Sequence, residues 1–151
     1  MSEWNIRPVE PSDRNFIMSS WLKSFKTSHF AGPIPYNLYW KTYQAVLDQL
    51  LARNGIRVAV AEVEGNILGY AVFEDGFAQP TVHWCYVKHF ARKSGIMADL
   101  LAQNGIDRDT SFFYTFRVAE SRDLTDKDGP YPNAVFRPSV VRSKKREAKA
   151  D

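Results

Sequence analysis

Cysteine is nearly absent from this chain: Cys85 is the only one in 151 residues. One thiol cannot close an internal disulfide, nor can it furnish a zinc site built on cysteines. Long apolar runs are missing as well. No stretch approaches the roughly 18 apolar residues that a membrane-spanning helix needs, and Met1-Ser2-Glu3-Trp4 lacks the pattern of a secretory leader. A cytoplasmic protein with no membrane partner is the expectation. Internal repeats are absent, and so is an excess of one charge once the chain is split. Residues 142–151 hold five of the 20 basic and two of the 17 acidic residues, so the other 141 carry fifteen of each sign. Nucleic-acid-binding folds usually wear a basic face. This balance gives a nucleic-acid partner no support, and the basic tail reads as a solvated segment.

What the sequence does have is an aromatic content of 14 % within an ordinary 44 % of hydrophobic residues. A chain of this length makes one domain, placed at residues 1–141 with 142–151 as a flexible tail. Ile6 to Val9 reads as a short edge strand. Ser12 or Asp13 is placed to cap a helix carrying Phe16, Ile17, Trp21 and Phe25 on one face. Thr27 to Pro35 is a loop. A second helix from Tyr36 to Arg53 gathers Tyr39, Tyr43, Val46, Leu47, Leu50 and Leu51, with Asn54-Gly55 as its left-handed end. Trp40, Tyr43 and Trp84 read as core.

The middle is strand-rich. RVAVAEV (57–63) and ILGYAVFE (67–74) flank Glu64-Gly65-Asn66 as a hairpin, and TVHWCYVK (81–88) is a third strong strand. A helix with Ile96, Leu100 and Leu101 on its buried stripe ends at Gly105. Phe112 to Phe116 is a buried strand, and Asn133 to Pro138 a last short one. A strand, a helix and a strand in succession make a βαβ unit, so the 81–88 and 112–116 strands should be parallel.

The segment between that strand and that helix, Val87-Lys88-His89-Phe90-Ala91-Arg92-Lys93-Ser94-Gly95-Ile96, carries the chemistry. A helix N-terminus has unpaired amides and partial positive charge, and so suits a phosphate. Gly95 permits close approach, and Arg92 and Lys93 add charge. The plainer reading is a strand-to-helix turn with two solvated cations. His83, whose ordinary titration range suits a general base, shares a strand with Cys85. Strand alternation puts the two on one face.

The stretch from Val58 to Leu101 resembles the GNAT superfamily of N-acetyltransferases. AEVEGNILGYAVFE is similar to that family's second and third strands, and VKHFARKSGIMADLL to its acetyl-CoA signature, Arg/Gln-x-x-Gly-x-Gly/Ala. Arg92, Gly95 and Met97 stand at the three defining places, and Met97 departs from the usual Gly or Ala. With the leading strand and two helices, the likeness covers roughly residues 5–117. It implies an α/β fold: a mostly antiparallel mixed sheet, a splayed parallel fourth and fifth strand pair, and helices on both faces. It implies that Arg92, Lys93, Ser94, Gly95, Ile96 and Met97 hold the pyrophosphate of acetyl-CoA or coenzyme A. The backbones of Cys85 and Val87 would pair with the pantetheine arm. An amine on a small molecule or protein would attack the thioester directly, with His83 as base and Tyr131 as acid. Glu62 and Glu74 could act through a water.

After Phe116 the chain is shorter than the family pattern, so a second subunit in a homodimer could complete the acceptor site. Compact chains with a clipped last third also occur among bacteriophage genes. A second reading is therefore a weakly active or inactive GNAT-like protein that grips a macromolecular partner, such as a host protein.

Overall fold

The computed structural model describes residues 3–27, 34–116, 124–125 and 128–142. Residues 143–151 of the tail and 28–33 of the 27–35 loop lie outside the described residues. Six strands form one sheet in chain order: β1 (Asn5–Pro8), β2 (Ile56–Val63), β3 (Asn66–Glu74), β4 (Thr81–Val87), β5 (Phe112–Tyr114) and β6 (Ala134–Phe136). The first four are antiparallel, whereas β4–β5 and β5–β6 are parallel. The βαβ expectation therefore holds, and the last strand adds a second parallel pair.

The β2–β3 hairpin turns at Glu64 and Gly65, both left-handed (φ 51° and 83°), as a two-residue turn matched to strand twist requires. Two helices, α1 (Arg14–Thr27) and α2 (Tyr36–Leu51), cover one face, and α3 (Ile96–Gln103) lies against the other. On the first face Trp21 stacks on Trp84 at 5.6 Å, and Phe25 and Phe116 meet them edge-on. Tyr39, inside α2, donates to the Leu22 carbonyl of α1 at 2.6 Å. Offset and edge-on ring pairs add about 0.5–1.5 kcal/mol each beyond their buried area, so this cluster fixes how both helices sit.

Three local expectations change. Asp13 does not cap α1 alone: its carboxylate takes Arg7 in two hydrogen bonds and the Glu10 N–H, which stitches β1 to the short 3₁₀ turn before the helix. The α2 helix stops at Leu51, and Gly55 is not left-handed; it is buried and accepts the Asp75 N–H. By contrast α3 does end at a left-handed Gly105. The Ile106 N–H reaches the Leu101 carbonyl and the Gly105 N–H the Ala102 carbonyl, the paired bonds of a Schellman cap.

Gly69 sets where α3 begins. A Cβ there would lie 2.6 Å from the Tyr86 carbonyl oxygen and 3.3 Å from Ile96 Cγ2. Only a bare Cα lets β3, β4 and the start of α3 converge so closely.

Candidate functional site at the fork of the sheet

Register shows where the sheet opens. β4 runs seven residues, yet β5 pairs with it only at Thr81 and Val82. Past Val82 the two parallel strands part, and no described strand lies opposite the rest of β4 on that side. Antiparallel ladders bond every second residue pair. The Lys88 N–H is bonded to the Leu68 carbonyl, so Tyr86 and Trp84 turn their amides to β3. Cys85 and Val87 then turn theirs toward the fork.

A bulge in β4 decides which side chains share a face. Val72 lies opposite Trp84 but Phe73 opposite Val82, so His83 is the extra residue. Val82, Cys85 and Val87 belong to the α3-side cluster, while Trp84 and Tyr86 belong to the α1–α2 side. His83 and Trp84 are therefore neighbours on one face, and Cys85 lies on the other. This one inserted residue separates His83 from Cys85, which simple strand alternation would place on one face.

His83 is closed in on both sides. Its Nδ1 is 2.7 Å from Thr115 Oγ1 and its Nε2 is 2.7 Å from Glu74 Oε1, with no exposed side-chain surface. Arg53 holds the same Glu74 oxygen at 3.1 Å and also donates to the carbonyls of Val140 and Val141. Burial lowers the His83 pKa and Arg53 lowers it further, against the opposing pull of Glu74. Burial pushes Glu74 upward, but His83 and Arg53 outweigh it and hold the carboxyl below its ordinary value. Burial favours the neutral imidazole, in which Nε2–H donates to the carboxylate and the Thr115 hydroxyl donates to Nδ1. Neither ring nitrogen is left to take a proton directly from a substrate.

Tyr131 is on the other face, buried, its ring edge-on to Phe112 at 5.9 Å. Cys85 and Met97 pack around the same cluster. Burial raises the Tyr131 pKa, and the nearby Cys85 sulfur raises it further, so the phenol keeps its proton. Burial likewise pushes the Cys85 thiol up to about 12, which excludes a resting thiolate nucleophile. Glu62, the other carboxylate considered, is paired with Arg7 at 3.0 Å.

The loop from Lys88 to Gly95 is the exposed counterpart. Arg92, Lys93, Ser94 and Gly95 are all exposed. The Arg92 N–H bonds the His89 carbonyl, so its amide is spent, and its Nε donates to the Val87 carbonyl at 3.0 Å. Lys93 and Gly95 are both left-handed (φ 65° and 96°). The first helical bond of α3 is from the Asp99 N–H to the Gly95 carbonyl. The amides from Lys93 to Ala98 therefore have no backbone partner among the described residues. A Cβ on Gly95 would meet nothing nearer than Trp4 Cη2 at 3.9 Å. Met97, half-buried, packs with the α3-side cluster.

Sequence reading missed Arg53, Thr115, Trp4 and Asp99. Thr115 had a signal, a hydroxyl in an otherwise aromatic strand, which asks for a buried partner. The indole of Trp4 donates to Asp99 Oδ2 at 2.8 Å across 95 residues of sequence, and nothing in the local pattern announces it.

No family model matches this chain, and no curated protein matches it in sequence. Solved structures do match it in shape. The ribosomal-protein-alanine N-acetyltransferase of Brucella melitensis biovar Abortus 2308 superposes with a TM-score of 0.58 at 21% identity, over 85% of this chain and 90% of that one. A Pyrococcus furiosus protein provisionally assigned as an acetyl transferase gives 0.60 at 18% identity, over 99% and 97%. A Staphylococcus aureus protein provisionally assigned to the GNAT family gives 0.52 at 16%, over 66% and 86%. At these identities the likeness is one of fold, and the chain has the GNAT acetyltransferase fold.

Proposed function

We propose that the protein is an acetyl-CoA-dependent N-acetyltransferase acting on an amine of a small molecule or protein. The observation that carries this reading is the coincidence of two features at one end of β4. The strand leaves Cys85 and Val87 facing a fork with no described strand opposite, and the next residues present amides without a backbone partner among the described residues, beside two cations. Several aligned N–H groups at a helix start favour an anion, and a free strand edge accepts an extended amide chain as an added strand. A ligand with a diphosphate at one end and an amide-bearing arm at the other fits both.

In this reading the amides of Lys93 to Met97 hold the diphosphate, with Arg92 and Lys93 supplying charge. The backbone groups of Cys85 and the Val87 N–H hold the arm. When bound, coenzyme A would supply an activated acyl thioester. Tyr131 keeps a proton on its phenolic oxygen, ready for a leaving thiolate. His83 is given a positioning role: locked between Thr115 and Glu74, it fixes the bulge that turns Cys85 toward the fork.

The sealed His83 is also the observation that favours the second reading, a protein with the fold but little turnover that binds a macromolecular partner. Release of free thiol from acetyl-CoA, with a panel of amines, separates the two. Amine-dependent thiol release that falls in Tyr131→Phe supports the transferase. Stabilisation by coenzyme A with no thiol release under any amine supports the binding protein.

A further inference from the structure

The anion seat has an acidic residue in its own helix. Asp99 stands in the first turn of α3, where a carboxylate stabilises the helix start. The same charge opposes any diphosphate held at the same amides. Both carboxylate oxygens are engaged on the helix flank: Oδ2 accepts the Trp4 indole N–H at 2.8 Å, and Oδ1 accepts the Gln103 amide at 3.2 Å. Trp4 is half-buried against the α3-side cluster, and its benzo edge is the atom nearest to a Cβ built on Gly95. One indole thus lies beside the glycine that opens the first turn and bonds the carboxylate that would compete with a ligand.

We propose that Trp4 is a positioning residue of the anion seat, tethering the Asp99 carboxylate to the flank of α3 so that the helix-start amides stay available to a diphosphate. This rests on the reading of Lys93–Met97 as that seat. Trp4 also differs from the other three tryptophans, because Trp21, Trp40 and Trp84 all lie in the cluster under α1 and α2.

The test is calorimetric titration of the full chain with coenzyme A and, as a probe lacking the diphosphate, with pantetheine. Trp4→Phe keeps a ring but loses the N–H. It is expected to weaken coenzyme A about tenfold, as an unscreened charge near the seat would, and to change pantetheine by less than about twofold. Asp99→Asn in the Trp4→Phe background should restore coenzyme A affinity to within about twofold of Asp99→Asn alone, a coupling that a loss of general stability would not produce. Should Trp4→Phe fail to fold, Gln103→Leu loosens the same carboxylate from an exposed position. A weakening of about twofold, again reversed by Asp99→Asn, is expected for it, a charge effect of the size seen near helix starts.

Unchanged coenzyme A affinity in Trp4→Phe, or a loss that Asp99→Asn does not reverse, overturns the inference and leaves the seat intact. Absence of coenzyme A binding by the unaltered chain removes the seat and the inference together.

Discussion

Two polar regions flank β4, and they are built in opposite ways. At the strand's start Arg53, Glu74, His83 and Thr115 are joined by hydrogen bonds, and Arg53 also donates to the Val140 and Val141 carbonyls. At its end Arg92 and Lys93 are exposed, and the amides from Lys93 to Ala98 have no backbone partner among the described residues. Titratable side chains in a cleft invite a catalytic reading, yet here the richest cluster is the closed one. Ligand chemistry belongs where donors remain unspent, and a buried network whose members bond one another holds the scaffold.

Breaking the closed network should have the largest consequence. Glu74→Ala leaves a half-buried guanidinium and a buried imidazole without their shared partner and is expected to cost about 3–5 kcal/mol, read from urea denaturation. A loss under 1 kcal/mol would mean that the network is not structural. Gly69→Ala attacks the junction between the two regions. The 2.6 Å approach to the Tyr86 carbonyl should cost about 1–3 kcal/mol through overpacking, and a neutral result would show that β3 and α3 shift freely.

Acid should then weaken the fold in sequence, beginning with the closed region. Folded His83 resists protonation, so as pH falls below its ordinary 6.5 the unfolded chain binds the extra proton and stability declines. Glu74 and Asp13, held below their ordinary 4.5 and 3.8, extend the decline in more acidic solution. His83→Gln should remove the first part of that slope and leave the second. A slope unchanged by the substitution would contradict a neutral, buried His83.

The smallest effect belongs to the open region. Lys93 occupies a left-handed conformation that costs an ordinary side chain. Lys93→Gly should raise the melting temperature, by about 0.5–1 kcal/mol in stability, while weakening anion binding through the lost charge. A destabilised Lys93→Gly would show that the conformation carries no strain.

Much of this architecture was legible in the sequence because it is local. Periodicity placed α1, α2 and the strands, glycine placed the end of α3, and the strand–loop–helix order made β4 and β5 parallel. The pairing of His83 with Cys85 failed because a bulge is a property of two strands in register, and one strand read alone alternates perfectly. Tyr131 illustrates the same limit. Its position after β5 was plain, but its place beside Cys85 depends on how residues 128–134 return to the sheet. Arg53 and Trp4 reach partners far along the chain, Val140 and Asp99, through contacts that no spacing rule encodes.

The central claim is that the unbonded amides at the start of α3 seat the diphosphate of coenzyme A. Calorimetric titration of the unaltered chain beside Gly95→Glu tests it most directly, since the substitution sets a negative charge where the cradle is open. Binding by the unaltered chain, weakened at least about tenfold by the opposing charge, is the expected result. Equal binding by the two proteins, or none by the unaltered chain, would contradict it.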